Sequence, residues 1–139
     1  MPMQITLTDK VTSKDQDELR LGLNAHNSKF FDVDLIKPLG LFICDFQGKK
    51  LAGLTGTTTG NWLRIDLLWV SDRLRGQGTG SQLVLAAEQE ARQRGCRFAQ
   101  VDTASFQARP FYEKLGYHVR LTLGDYIHHY QRHYLTKIL

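Results

Sequence analysis

Residues 71–95 read SDRLRGQGTGSQLVLAAEQEARQRG, and the fold turns on how this stretch is read. Gly76, Gly78 and Gly80 alternate with other residues, and Arg73 and Arg75 come just before them. From about Ser81 to Arg94 the pattern is helical. Leu83, Ala87 and Ala91 recur every four residues with Val84 beside them. Glu88 and Arg92, and Glu90 and Arg94, stand four apart in the favourable acid-first order. Gly95 supplies a C-terminal cap. Upstream, NWLRIDLLWV (61–70) alternates as a strand should, with Leu63, Ile65, Leu67 and Trp69 on one face. The stretch is therefore strand, glycine turn, helix.

Such a turn is a cradle for phosphate. Glycines adopt conformations closed to other residues, so successive backbone amides can face one concavity. The helix start adds unpaired N–H groups and partial positive charge. Two phosphate-binding fingerprints fit badly. The dinucleotide pattern needs G-x-G-x-x-G, but the position for its third glycine is Ser81. The P-loop needs a lysine after its last glycine, and none follows.

Working outward, residues 14–30 read as a helix broken at Gly22, and 31–38 as a loop ending at Pro38. LGLFICDF (39–46), KLAGLTGTTTG (50–60) and 61–70 form an antiparallel meander. Downstream, RFAQVDT (97–103) is a strand, ARPFYEKLG (108–116) a short helix, YHVRLTL (117–123) a strand, and 126–138 a last strand. The class is mixed α/β, with an antiparallel half and a crossover half, in one domain over residues 1–139.

Composition narrows the function. With 42% apolar residues the chain can bury a core. No apolar run approaches the roughly 20 residues that span a bilayer. The start, MPMQITLTDK, lacks a basic-then-apolar layout, so a cytoplasmic protein with no membrane partner is expected. Net charge is +4, without basic runs or interleaved aromatics, so nucleic acid is not indicated as a partner. Cys44 and Cys96 are expected to be buried, reduced thiols. His128 and His129 are adjacent, which on a strand sends them to opposite sides, so no metal site is expected.

The segment LLWVSDRLRGQGTGSQLVLAAEQEARQRGC resembles the acetyl-CoA-binding segment of the GNAT N-acetyltransferase superfamily. That segment carries Arg or Gln, two residues, Gly, one residue, then Gly or Ala; Arg75, Gly78 and Gly80 meet it. FYEKLGY (111–117) resembles the second signature of the same family, in its order and at its separation. The resemblance implies a GNAT-like fold: a central, mixed, twisted sheet with two splayed strands, flanked by helices. It implies acetyl-CoA as co-substrate and no metal. It also implies direct attack by an amine of a small molecule or peptide, within a ternary complex.

Residue by residue, the resemblance places the pyrophosphate on Arg75, Gly76, Gln77, Gly78, Thr79 and Gly80, and the pantetheine arm along Trp69 and Val70. Many relatives have Asn seven residues before the family tyrosine to bond that arm; here Ser105 stands in its place. Tyr112 matches the tyrosine that protonates the departing thiolate. Asp66 is the first candidate for general base, acting through water, and Asp102 the second. His26, Asn27, Phe30 and Tyr126 are candidates for the acceptor pocket. Relatives are often dimers, which leaves monomer and homodimer both open. Two rival readings remain: a non-catalytic acyl-CoA-binding module of the same fold, and a small basic nucleic-acid-binding domain.

Overall fold

Three consecutive strands, β1 (Ile36–Cys44), β2 (Lys50–Thr59) and β3 (Trp62–Val70), pair antiparallel, as the meander reading requires. The computed structural model describes residues 3–139. They divide into a unit ending at Asp34 and a second unit, Leu35–Leu139.

The first unit carries α1 (Ser13–Asn27), which runs unbroken through Gly22. A capping box overrides the weak interior: the Thr12 hydroxyl accepts from the Asp15 amide, and the Asp15 carboxylate accepts from the Thr12 amide. The Thr12 cap sits two residues before the expected start at residue 14 and was not read from the sequence.

In the second unit, β3 leads through a short 3-10 turn (Asp72–Leu74) into α2 (Thr79–Gln93). Then follow β4 (Phe98–Ala104), α3 (Arg109–Lys114), β5 (His118–Ile127) and β6 (Tyr130–Ile138). The six strands form one sheet in the order β1-β2-β3-β4-β6-β5. Only β3 and β4 pair in parallel, because α2 carries the chain back across the sheet. Leu83, Val84, Ala87 and Ala91 of α2 are buried against Leu54, Leu63 and Ile65, which confirms the four-residue spacing. The leucine, isoleucine and valine side chains each contribute roughly 1.5–3 kcal/mol on burial, the alanine methyls less. Gly95 ends the helix at φ +92°, with the Cys96 amide bonded back to the Ala91 carbonyl at 2.9 Å.

Several boundaries differ from the sequence reading. β1 begins at Ile36 and contains Pro38, which an edge strand tolerates because the missing N–H costs no ladder bond. The stretch 126–138 is not one strand. Ile127 pairs with Tyr130, so His128 and His129 form the hairpin turn, His128 at φ +54°. Cys96 is buried as expected, and burial raises its thiol pKa, but Cys44 is exposed.

The main departure lies in β3. Thr55 pairs with Leu67 and Gly56 with Ile65, so Asp66 is an extra residue, a β-bulge. The extra residue inverts the alternation. Leu63 and Ile65 are buried, but Leu67 and Trp69 are 69% and 53% exposed, while Leu68 and Val70 turn toward the core. Gly56 accommodates the bulge: a Cβ there would lie 2.4 Å from the Arg64 carbonyl oxygen.

Candidate active site

The bulge coincides with a gap in the sheet. β3 and β4 pair from Trp62 with Phe98 as far as Ile65 with Val101, and no farther. Beyond that point the strands splay. The gap holds a cavity of about 190 Å³, lined in part by Asp66, Asp102, Gln107, Tyr112 and Arg132.

A second cavity, of about 430 Å³, adjoins it through Leu68, Gln107 and Ala108, and reaches Trp69, Val70 and Phe111. A third, of about 330 Å³, shares Val70, Arg75, Gly80 and Phe111 with the second and ends at the mouth of α2. The three form one continuous track. A roomier hollow of about 540 Å³ lies apart, between β1 and α2. Its lining cation, Arg94, is bonded to Glu90, Thr58 and the Pro38 carbonyl, so that hollow offers little chemistry.

At the helix mouth, Gly76 and Gly78 take φ +75° and +77°, as the glycine reading requires. Gly78 is the N-cap and offers no side chain, so the first amides of α2 lack a capping acceptor. Helix α2 starts at Thr79, two residues before the expected Ser81. Gly80 lets the helix approach α3, since a Cβ there would meet the Phe111 ring at 3.2 Å. These groups fit a phosphate: an open concavity of backbone donors at the positive end of a helix.

The three polar side chains assigned to this cradle are engaged elsewhere; the Thr79 hydroxyl donates to the Leu74 carbonyl at 3.4 Å, though Thr79 lines the track. Arg75 donates to the Val70 carbonyl at 3.2 Å and pairs with Asp72 at 3.2 Å, though it still lines the track. Gln77 donates to the Arg73 carbonyl at 3.3 Å and does not line it.

In the strand gap, Tyr112 is buried against Phe111 and Tyr117. Burial, with a smaller contribution from the Asp102 charge, pushes its pKa up to about 12. Asp66 pairs with Arg64 at 2.8 Å. Asp102 accepts from Nε of Arg132 at 2.7 Å and also from its Nη2. Tyr126 sits under the same guanidinium, 5.3 Å from ring centre to cation, and so adjoins the gap through Arg132. Ser105 lines none of the three cavities. Its hydroxyl accepts from the Gln131 amide at 3.1 Å, which ties it to β6. His26, Asn27 and Phe30 belong to the first unit, where the rings of His26 and Phe30 stand 5.4 Å apart.

Sequence reasoning missed Arg132 and Gln107. Neither lies in the quoted signatures, and only the pairing of β4 with β6 brings Arg132 to the gap. Among the described residues, no cluster of three metal-ligating side chains occurs, and no helix is long and apolar enough to cross a membrane.

Comparison with known proteins agrees with this geometry. Residues 8–117 match the family model described as Acetyltransferase (GNAT) family. A blasticidin-S acetyltransferase of Streptomyces morookaense is 40% identical over 99 residues, covering 70% of this chain and 73% of its own. An acetyltransferase of Agrobacterium fabrum is 34% identical over 115 residues, covering 83% and 84%. A crystal structure from Agrobacterium tumefaciens, of a protein taken to be an acetyltransferase, superposes with a TM-score of 0.88 at 32% identity, covering 99% of this chain and 100% of that one. The chain belongs to the GNAT family of acetyltransferases, which use acetyl-CoA to acetylate amines.

Proposed function

We propose that this chain binds acetyl-CoA along the track from the mouth of α2 to the strand gap, and transfers its acetyl group directly to an amine. The observation that carries the reading is the continuity of that track. Backbone donors lie at one end, apolar walls in the middle, and Tyr112 with two carboxylates at the other.

Amides of Gly76, Gly78, Thr79 and Gly80 hold the pyrophosphate, with Arg75 as a flanking charge. Trp69 and Val70 line the arm. Bound acetyl-CoA supplies the thioester. The β3 backbone past the bulge has no β4 partner, so its N–H groups are free on that side to stabilise an oxyanion.

Burial alters the role of Tyr112. At a pKa of about 12 it stays protonated at neutral pH. Full proton transfer to a thiolate with a reference pKa near 8.5 would then run uphill by roughly 5 kcal/mol. Tyr112 therefore acts mainly as a hydrogen-bond donor that stabilises the leaving sulfur. Asp66 at the cavity wall takes the amine proton through water, and Asp102, held twice by Arg132, orients that cation beside Tyr126.

The name of the Streptomyces relative makes blasticidin S the first acceptor to assay. The unpaired thiols of Cys44 and Cys96 support a reducing, cytoplasmic setting. The test is calorimetric titration with acetyl-CoA, with ATP and NAD as controls, followed by thiol release with an amine panel that includes blasticidin S. Selective binding and release support the reading. Binding without release for every amine would favour the non-catalytic module. No binding would overturn the proposal.

A further inference from the structure

The second cavity meets the strand gap at a junction. Three residues line both sides of that junction: Leu68, Gln107 and Ala108. Only Gln107 brings a polar side chain. The second cavity has two other side-chain donors, the Trp69 indole N–H and the Arg75 guanidinium, but neither residue reaches the junction, and Arg75 is bonded to the Val70 carbonyl and Asp72.

The Gln107 amide has one orientation. Its Oε1 accepts from the Ala104 backbone N–H at 2.9 Å and lies 3.4 Å from the Thr103 hydroxyl. That hydroxyl accepts in turn from the Ala108 amide at 3.2 Å, so its own hydrogen is directed to Oε1. Thr103 is 3% exposed, which locks the arrangement. An amide whose oxygen is fixed in this way has its nitrogen fixed too, with two N–H donors to offer.

We infer that Gln107, rather than Ser105, anchors the arm of the acyl donor. Its Nε2 donates to an amide carbonyl of the pantetheine as the arm passes through the junction. An arm containing secondary amides must satisfy its carbonyl oxygens once water is excluded, and at the junction itself Gln107 is the residue that provides a side-chain donor. Ser105 faces Gln131 instead, through its hydroxyl and through its own amide at 2.9 Å. The inference rests on the acetyl-CoA reading above.

The test compares two ligands, acetyl-CoA and adenosine 3′,5′-bisphosphate, which lacks the arm. Gln107→Glu keeps the length and the acceptor oxygens for Ala104 and Thr103, but removes both donors. It should weaken acetyl-CoA binding by about tenfold or more, the effect of one lost hydrogen bond with an unsatisfied partner. Affinity for the bisphosphate should stay within about twofold, the scatter such context-dependent contributions allow. Ser105→Ala should change neither. If Gln107→Glu does not fold, Gln107→Met removes the amide at similar length. Equal losses for both ligands would show a merely structural role and overturn the inference. So would undiminished acetyl-CoA binding, or a loss on Ser105→Ala instead. If the unaltered protein binds the bisphosphate but gains nothing from the arm, the anchor falls alone. If it binds neither ligand, the acetyl-CoA reading falls with it.

Discussion

Glu88, with no exposed surface, accepts a hydrogen bond from the hydroxyl of Tyr117 at 2.8 Å. Its other oxygen accepts from Lys137 Nζ, also at 2.8 Å. The sequence pattern pairs Glu88 with Arg92; in the structure Arg92 is 3.9 Å away and Lys137 is the close partner. The network joins α2 to β6, so removing its centre strands two donors. Glu88→Ala should cost about 3–5 kcal/mol, within the range for breaking a buried pair. Urea denaturation checks this, and Lys137→Met should destabilise as well.

Stability should fall at high pH. Burial raises the pKa of Tyr112 to about 12; burial and then the Glu88 charge raise that of Tyr117 further still. Below the unfolded value near 10 both states keep their protons, so the stabilising contribution is fully present. Between about pH 10 and 12 the unfolded chain releases protons that the folded chain retains. Stability is then lost at roughly 1.4 kcal/mol per pH step for each tyrosine. Denaturation midpoints measured across that interval, with Tyr112→Phe as the comparison, read out the first contribution.

Gly78 separates backbone strain from charge. A Cβ there meets nothing, but φ is +77°. Gly78→Ala should cost about 1–2 kcal/mol of stability for the left-handed conformation. Gly78→Glu should cost about the same, but abolish acetyl-CoA binding by placing a carboxylate in the cradle. Calorimetry on both folded variants decides; unchanged affinity for the Glu variant would remove the loop from the site.

Tyr112→Phe retains the ring contacts with Phe111 and Tyr117 and loses only the hydroxyl. We expect kcat to fall by about 100-fold, the lower end for losing one hydrogen-bond donor to developing negative charge, with acetyl-CoA affinity nearly unchanged. Steady-state kinetics with the best acceptor from the panel measure both. Equal turnover would exclude Tyr112 from the chemistry.

The architecture was legible because its signals are local and periodic. Leu83, Ala87 and Ala91 mark α2, and Gly95 marks its end. The meander follows from the alternation in 61–70 and from the short spacing between the segments 39–46, 50–60 and 61–70. What stayed hidden depends on pairing. The Asp66 bulge exists only in register with Thr55 and Gly56, so Leu67 and Trp69 read as core and are exposed. The site was half legible. The glycine loop and Tyr112 lie in short motifs, whereas Gln107 and Arg132 reach the track through a loop bond and a strand pairing.

The parallel seam has a mechanical consequence. Strands β1, β2 and β3 are laced along most of their length, as are β4, β6 and β5. The ladder that joins the two three-stranded halves runs from Trp62 to Ile65 on one side and from Phe98 to Val101 on the other, with Asn61 bonded at its end. A load that widened the sheet would concentrate there, as on a book's spine. Small rotations of one half against the other would change the width of the slot and leave each ladder intact. Amide hydrogen exchange should therefore be faster along this seam than in either half, and a ligand wedged in the slot should slow it.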